Sequence, residues 1–453
     1  MIGYRGALIK NRCYTVIISD ITSAGFGVGI INDFPIWIPN SAPGDVLRIK
    51  LIKLLTTHGF GRIESIITPS DQRVQPPCSI AYQCGGCQLQ HLSYGSQIQW
   101  KNTWVEQQLK AHQLPYTSQP VIASDSMALA YRNKAQYSIR RINGEVIIGL
   151  FAPRSQRIIS ISDCAIQSAI TNQIISHVRD WLTAYHVPIY DPEETSDGIC
   201  GVIVRISEST QQAIVALVST QDELPNQTEC ITQLTRHPAV VGIGLSVNKN
   251  PLWEMLGQRN HWLWGVTQIT DQHKGLSVSI SIDSFFQVNS FQLSALWACV
   301  CELIGDQTDA IIWDLYCGTG SMSLMLSKRY REVVGIEIDP SAIEDARASA
   351  LANECHNVTF IEGAVESELT TLTSHVDVVI IDPPRRGISP GVIDALCLAK
   401  PRQIIYISCS LSTAIRDVML FQAKGYQLTT TRVLDMFPQT VHIETIHCLT
   451  LAD

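Results

Sequence analysis

The N-terminal part of the chain alternates apolar and polar positions over short distances. Five runs share this character: CYTVIISDIT, AGFGVGII, FPIWIP, DVLRIKLIKLL and GFGRIESII. A period of two predicts half-buried β-strands, and the Gly, Pro, Asn and Asp residues between the runs predict turns. Five such strands in residues 1–70 predict a small barrel of the OB type, a fold that often binds oligonucleotides.

The middle of the chain carries further strand-like runs. Within residues 124–282 these include AQYSIRR, VIIGLFA, GVIVRIS and AIVALVS, and we expect a β-rich central domain there. The segment before it, residues 94–112, places Ile98, Val105 and Leu109 near helical spacing, which predicts a helix. No internal repeat or low-complexity tract interrupts the chain.

From about residue 308 the pattern changes to apolar strands that alternate with helical segments. The strands are AIIWDLYC, EVVGIEI, NVTFIEG, VDVVIID and QIIYISC. This rhythm predicts an α/β domain with a doubly wound, Rossmann-like sheet, whose ligands bind at the carboxyl ends of the strands.

Candidate cofactor residues stand at three of these strand ends. Tyr316 opens the turn YCGTG, in which glycines let a ligand approach the backbone. Glu337 and Asp339 end the next strand, where an acid can bind the hydroxyl groups of a ribose. Asp382 begins DPPR, a sequence typical of methyltransferases that modify nucleic acids. The turn lacks the full G-x-G-x-x-G pattern, so an adenosine-containing cofactor other than NAD is favoured.

A candidate nucleophile and base follow near the C-terminus. Cys409 ends the strand QIIYIS, at the edge where the cofactor is expected to bind. Glu444 lies in the strand-like segment TVHIETI, beside His442. Both are candidate general bases, and we prefer Glu444.

Cysteines also form a possible metal site. Cys78, Cys84 and Cys87 are spaced C-x5-C-x2-C, and Cys164 is a candidate fourth ligand. Four thiolates suit either zinc or an iron–sulfur cluster, and their spacing does not distinguish the two.

Composition limits the class of protein. The net charge of −8 disfavours phosphate binding, but residues 131–157 hold six Lys or Arg against one acid, so a local basic face is expected. No apolar run is long enough to span a bilayer and the N-terminus lacks a signal peptide, which predicts a cytoplasmic protein without membrane contacts.

Taken together, DLYCGTG, GIE, DPPRRG, YISCSLST and TVHIET resemble, in this order, the RNA (uracil-C5)-methyltransferase family. The resemblance implies S-adenosylmethionine as cofactor, Cys409 as nucleophile and Glu444 as base. It also implies that the following residues contact the cofactor: Gln287, Tyr316, Glu337 and Asp382. The chemistry explains the cysteine, because a thiolate that adds to C6 makes C5 of uracil able to attack the methyl group.

The resemblance further implies the substrate. Members that act on 23S ribosomal RNA carry the same cysteine pattern, which binds a [4Fe-4S] cluster, and an N-terminal TRAM barrel. We therefore expect a ribosomal RNA substrate and no DNA substrate; a monomer is the default expectation. The resemblance also assigns the segment Tyr131–Lys134 to the RNA-binding face. The expected domains are a TRAM barrel over 1–70, a central iron–sulfur and RNA-binding domain over 71–90 and 124–282, and a methyltransferase domain over 91–123 and 283–453.

Alternatives remain. Transfer RNA is a second possible substrate, an exocyclic-amine methyltransferase would use DPPR without a nucleophilic cysteine, and a ribosome-assembly factor would keep the fold without catalysis. The chain also departs from the family at Ser410-Leu411, where Asn-Pro or Asp-Pro is common, and at Gln439, where His is common. These departures concern the positioning of the catalytic groups.

Overall fold

A computed structural model of the chain describes residues 8–116, 119–193, 196–251, 255–257, 259–370 and 375–452. The first seven residues of the expected barrel domain therefore lie outside the described part, as do residues 194–195, 252–254 and 258 of the expected central domain and residues 117–118, 371–374 and 453 of the expected methyltransferase domain. Within the described residues, no helix has the length and apolar character needed to cross a membrane.

The N-terminal strands close into a barrel, as their pattern predicts. They are β1 (Cys13–Ile21), β2 (Gly27–Ile31), β3 (Phe34–Ile38), β4 (Val46–Leu54) and β5 (Gly59–Thr68), in the order β1-β2-β3-β5-β4. Alternate side chains point inward and form a small core that includes Val16, Ile36 and Leu47. The other positions face outward, where they are available for contacts with the rest of the chain or with a ligand.

The central region is a sheet covered on both faces. Its strands are β6 (Lys134–Ile142), β7 (Glu145–Phe151), β8 (Ile158–Ser160), β9 (Ile199–Ser207), β10 (Gln212–Ser219), β11 (Val240–Val247) and β12 (Arg259–Gly265), in the order β12-β11-β10-β9-β6-β7-β8. Every residue of β9 is buried, which explains its nearly continuous apolar run.

Helices that the sequence pattern did not predict cover one face of this sheet. After α1 (Tyr94–Ala111) come α2 (Ala169–Ala184) and α3 (Gln227–Leu234). Ile174, Val178 and Leu182 of α2 recur at helical spacing and join the core of the sheet. The hairpin of β13 (Gln268–His273) and β14 (Leu276–Ser281) and the next helix, α4 (Ser290–Ile304), contribute to the core on the opposite face.

The C-terminal sheet is α/β, as predicted. Its strands are β15 (Ile311–Leu315), β16 (Glu332–Glu337), β17 (Val358–Glu362), β18 (Val378–Ile381), β19 (Gln403–Ser408), β20 (Tyr426–Leu434) and β21 (Glu444–Leu451), in the order β17-β16-β15-β18-β19-β21-β20. The helices between them are α5 (Ser321–Ser327), α6 (Pro340–Ala352), α7 (Val365–Glu368), α8 (Pro390–Ala399) and α9 (Leu411–Gln422).

The order of these strands creates a ligand crevice. The strands β15 to β19 pair in parallel, and the chain leaves β15 for β16 on one side before β18 adds on the other. A reversal of this kind opens a crevice at the carboxyl ends of the central strands. The last strand, β21, runs antiparallel between β19 and β20 and brings its first residue to this same edge.

Candidate active site

The turn after β15 approaches the crevice with an unusual backbone. Tyr316, Gly318 and Gly320 have φ values of 62°, 54° and 71°, and Tyr316 is the only one of them with a side chain. A Cβ at Gly320 would lie 2.6 Å from the ring of Phe360, so glycine is required there. The turn therefore holds Tyr316 at the crevice and allows α5 to begin immediately behind it.

Glu337 fastens this turn to the end of β16. Its Oε2 accepts a hydrogen bond of 3.0 Å from the backbone N–H of Gly318, and its Oε1 accepts bonds from the N–H groups of Ile338 and Asp339. Asp339 instead caps α6 by accepting a bond from the N–H of Ser341. Of the two acids at this strand end, Glu337 is the one that lies against the glycine turn.

A cleft of about 440 Å³ lies where the strand order reverses. Its lining includes aromatic and polar side chains: Phe285, Phe286, Gln287, Trp297, Asp314, Tyr316, Thr319 and Asp382. The structure thus brings three of the predicted cofactor residues, Gln287, Tyr316 and Asp382, to one cavity. Glu337 does not line this cleft but bonds to its glycine turn.

Two buried carboxyl groups lie beside this cleft. Burial raises the pKa of Asp314 to about 7, and burial and the nearby Asp314 raise that of Asp382 to about 7 as well. Asp314 accepts a bond of 2.5 Å from the hydroxyl of Ser323, and Asp382 accepts one of 3.2 Å from Nε2 of Gln287. Two acids in a dry crevice favour a cationic ligand. Sequence reasoning did not select Asp314, although an acid at the end of the first strand was a usable signal.

Cys409 and Glu444 lie together because of strand pairing. Ser408 of β19 is opposite Thr445 of β21, so the residues that flank this pair, Cys409 and Glu444, meet at the sheet edge. The Glu444 side chain is buried, with 2% exposure. Burial and the nearby Asp382 raise its pKa well above the usual range.

Arg385 contacts the same group of side chains. Burial and Glu444 raise the pKa of the Cys409 thiol, whereas the charge of Arg385 and its hydrogen bond to the thiol lower it. An arginine in this position stabilises a thiolate over a thiol. Arg385 belongs to the DPPR motif but was not among the predicted site residues; the motif alone does not reveal that it reaches Cys409.

Cys409 also faces a second, wider cleft of about 890 Å³. Its lining comes from the barrel, α1, the loop after β18, the turn from β19 to α9, and residues 437–444, which are called the catalytic segment below: Ser23, Trp104, Gln108, Arg385, Cys409, Ser410, Leu411, Ser412, Val441, His442 and Ile443. Burial and nearby cations, first Arg385, lower the pKa of His442 to about 4. His442 is therefore neutral at pH 7, with Nη2 of Arg385 only 3.3 Å from its Nδ1. Its low proton affinity makes it a weaker base than Glu444.

Gln439, one of the departures from the family pattern, supports the catalytic segment. It exchanges two hydrogen bonds of 3.0 Å with the side chain of Gln97 of α1. Its carbonyl oxygen accepts a bond from the N–H of Leu89, and its Nε2 donates to the carbonyl of Ala128. The side-chain amide of Gln439 thus accepts one hydrogen bond and donates another, which links α1 and Ala128 to this segment without a histidine.

The segment Tyr131–Lys134, expected at the RNA-binding face, is partly internal. Tyr131 and Asn133 are each 1% exposed. The Tyr131 hydroxyl donates to the carbonyl of Pro438, and Nδ2 of Asn133 donates to the carbonyl of Gln287. These two residues therefore hold the catalytic segment and the cofactor cleft in place.

The predicted cysteine ligands lie within electrostatic reach of one another. Burial raises the pKa of Cys84, Cys87 and Cys164, and the neighbouring thiols, including Cys78, add to the effect. Within the described ranges, however, no group of three or more His, Cys, Asp or Glu side chains is close enough to hold a single metal ion. The structure thus brings the predicted cysteines to one region without forming a compact single-ion site.

Known proteins resemble this chain over nearly its whole length. Residues 266–451 match the tRNA (Uracil-5-)-methyltransferase family, and residues 10–63 match the TRAM domain. An uncharacterized RNA methyltransferase of Listeria innocua is 35% identical over 98% of this chain and 99% of its own. One from Clostridium tetani is 35% identical over 97% of both chains.

The chain belongs to a family of RNA methyltransferases, and its C-terminal part matches the tRNA (Uracil-5-)-methyltransferase model. A solved structure agrees along the whole length: the Pyrococcus abyssi tRNA (uracil-54, C5)-methyltransferase in complex with S-adenosyl-L-homocysteine has a TM-score of 0.78 and 25% identity. It covers 96% of this chain, and the match includes 99% of that chain. The TRAM match, together with the closed five-stranded barrel, confirms the predicted N-terminal TRAM domain.

Proposed function

We propose that this protein transfers a methyl group from S-adenosylmethionine to C5 of a uridine in RNA, through a covalent bond between Cys409 and C6 of the base. The observation that carries the proposal is the meeting of Cys409, Glu444 and Arg385 at the edge of the cofactor crevice. A nucleophile, a base and a cation at one point are what this reaction requires.

The side chains have distinct roles in the proposed reaction. Cys409 loses its proton to the solvent-filled cleft, and Arg385 stabilises the resulting thiolate. The sulfur then bonds to C6 of uracil, and the electrons of the C5–C6 double bond make C5 nucleophilic. The bound donor supplies an electrophilic methyl group to C5. Glu444 takes the C5 proton, the ring electrons expel the sulfur, and the C6–S bond breaks.

Glu444 is suited to remove the C5 proton after the methyl group has been transferred. Its raised pKa makes its carboxylate a strong base, and the positive charge of a bound sulfonium favours the ionised form. The carboxylate is thus available when the donor is present. His442, whose pKa is lowered to about 4, lacks the proton affinity for this step.

The donor is proposed to bind in the 440 Å³ cleft, with contacts from Gln287, Tyr316 and Asp382 and with Glu337 supporting the turn. The fit is supported by two buried carboxyl groups that no cation of the described chain neutralises by an ion pair. A sulfonium would supply the missing positive charge.

The four cysteines, Cys78, Cys84, Cys87 and Cys164, are proposed to hold a [4Fe-4S] cluster. The thiols raise one another's pKa, so they lie near enough to share one bound group. The choice of a cluster over zinc rests on the family resemblance of the cysteine pattern. No step of the proposed methylation needs an electron, so the cluster's role would be structural.

Ribosomal RNA is the proposed substrate, because the cysteine pattern resembles that of the 23S branch of the family. Transfer RNA is the second candidate, favoured by the named activity of the Pyrococcus abyssi structure. The protein is proposed to act as a cytoplasmic monomer, without a DNA substrate and with the three domains set out from the sequence.

Mapping of 5-methyluridine in ribosomal and transfer RNA from cells with and without the gene tests this proposal. Loss of a 5-methyluridine from 23S ribosomal RNA alone is expected, and restoration by the wild-type gene but not by Cys409→Ala would complete the test. Loss from transfer RNA alone would move the protein to the other branch. If 5-methyluridine is unchanged in cells without the gene but a methyl group on an exocyclic amine is lost, the C5 reaction is contradicted. If no methyl group is lost, a non-catalytic assembly factor is favoured.

A further inference from the structure

A groove outside the catalytic clefts has the composition of a nucleic-acid site. It has a volume of about 1390 Å³ and lies between the barrel, the cysteine loop and the turn from β7 to β8. Its described lining contains Arg154 and Arg157 but no aspartate or glutamate, in a protein with a net charge of −8. This local charge is complementary to a phosphate backbone.

The same groove offers aromatic surfaces. Tyr82, on the cysteine loop, lines it and is 51% exposed. Phe26, in the loop just before β2, lines it from the barrel side. The Arg154 guanidinium lies 5.0 Å from the ring centre of Phe26 and 5.3 Å from that of Phe60. Because the barrel rings hold one side of this guanidinium, its other side is available to stack on a base.

Phe26 is part of a rigid aromatic face on the outside of the barrel. Trp37 stacks on His58 at 3.6 Å between ring centres and is nearly parallel to Phe26 at 6.3 Å. Phe60 meets Trp37 edge-on at 5.8 Å. Outward-facing aromatics beside an arginine are the arrangement with which proteins bind unpaired bases.

The groove adjoins the cleft that exposes Cys409. Ser23 and Val441 line the Cys409 cleft, whereas the next residues of the barrel loop, Ala24 to Phe26, line the groove. A Cβ at Gly25 would lie 2.9 Å from both Val441 and Gln88, so this loop packs tightly between the two openings. Backbone bonds between Thr22 and both Gly25 and Phe26 keep the loop in a tight turn. A chain leaving the Cys409 cleft over this loop enters the groove.

We infer that this groove binds the single-stranded segment of RNA next to the target uridine, with Tyr82 and Arg154 stacking on bases and Arg157 contacting phosphate. The inference rests on the proposed function only in the choice of which segment is bound. Single-stranded rather than duplex RNA is favoured, because stacking on side chains requires bases that are not already stacked in a helix. The groove would extend the contact with substrate beyond the reacting base.

Binding can be measured without the methyl donor, by fluorescence anisotropy with a uridine-centred RNA of five nucleotides and with one of fifteen. Tyr82→Leu is expected to raise the dissociation constant of the longer RNA about tenfold, the usual scale for one lost base stack, and to leave the shorter one unchanged. Arg157→Ala is expected to lower the slope of log affinity against log salt by about 0.7, the value for one phosphate contact on a single strand.

Matched controls lie outside the groove. Tyr185 is 45% exposed and Arg62 is an exposed residue of β5, so Tyr185→Leu and Arg62→Ala should leave both affinities unchanged. Tyr82 is exposed, so its replacement should preserve the fold; an unchanged melting temperature would verify this. Equal effects of the groove and control variants, or equal effects on both RNA lengths, would overturn the inference. A different result would count against the proposed function alone: the wild-type protein methylates no RNA, but Tyr82→Leu still weakens binding of the longer RNA and not of the shorter one.

Discussion

The sheet edge that carries Cys409 and Glu444 and the region of the four cysteines are positioned by different means. Cys409 and Glu444 follow from the pairing of β19 with β21, in which each residue pair fixes the next. Three of the cysteines lie in a segment without helix or strand, residues 78–87, and the fourth follows β8. Strand pairing fixes the relative position of two residues directly. The relative positions of residues in a loop depend instead on contacts within the loop or on a bound group.

The two regions are nevertheless connected. The N–H of Leu89, just beyond the cysteine loop, donates to the carbonyl of Gln439, and the N–H of Val441 donates to the side chain of Gln88 at 3.4 Å. Both acceptor and donor precede Glu444 in the catalytic segment. The comparison therefore predicts that changes at the sheet edge abolish chemistry without unfolding, while changes at the cysteines affect stability first and chemistry second.

The largest effect is expected at Cys409. Cys409→Ala removes the atom that activates C5, so the methylation rate should fall by at least about a thousandfold while the fold remains. The measurement is transfer of labelled methyl groups to RNA, with thermal melting alongside. Cys397→Ala, which removes a half-buried cysteine of α8 outside the clefts, should retain activity. An active Cys409→Ala would contradict the proposed mechanism.

Glu444→Gln should separate addition from release. The amide cannot accept the C5 proton, so turnover should fall about a hundredfold to ten thousandfold, the usual contribution of a general base. Covalent protein–RNA complexes should accumulate and be visible on denaturing gels. His442→Gln is the control, and it should not cause accumulation. Accumulation in His442→Gln but not in Glu444→Gln would exchange the two roles.

Loss of a cysteine ligand should affect stability. Cys84→Ser is expected to lose bound iron and to lower the melting temperature by about 3 °C for each kcal/mol lost. Iron content, the visible absorption spectrum and thermal melting measure these effects. Cys355→Ser, at a buried cysteine outside this group, should keep the full iron content. Iron retained in Cys84→Ser, or zinc found in place of iron, would count against the proposed cluster.

The smallest effect concerns pH. The pKa values of Asp314 and Asp382 are both raised to about 7, so these carboxyl groups become charged as pH rises through about 7. Affinity for the cationic donor should therefore rise with pH across this range, by up to about tenfold per pH unit for each carboxyl group that ionises on binding. S-adenosylhomocysteine, which lacks the sulfonium charge, is the control and should show a weaker dependence. Equal pH dependence for the two ligands in calorimetry would contradict this role of the acids.

The same difference determines how far the sequence could predict the structure. The alternation in the barrel and the strand–helix rhythm after residue 308 depend on the spacing of apolar residues within each element. Both patterns predicted elements that the structure confirms. The strand-end positions of Tyr316, Asp382 and Cys409 followed from topology, because parallel strands present their carboxyl ends at one edge. Gln287 was reached only through the family resemblance.

What the sequence did not reveal depends on contacts between distant segments. Arg385 reaches Cys409, and Gln97 pairs with Gln439 although 342 positions separate them. The groove at Tyr82 and Arg154 similarly joins three segments that no local pattern relates. The helices α2 and α3 were missed because the apolar strands around them dominate the pattern of the central region.

The covalent bond between Cys409 and the pyrimidine is the central claim, and RNA containing 5-fluorouridine tests it most directly. Because fluorine replaces the hydrogen at C5, the base has no C5 proton to remove and the sulfur cannot be expelled. The methylated adduct should therefore persist. With the methyl donor present, mass spectrometry of the denatured complex should find the RNA attached to the peptide that contains Cys409. Absence of any such adduct in an enzyme that methylates ordinary RNA, or attachment through another residue, would contradict the account.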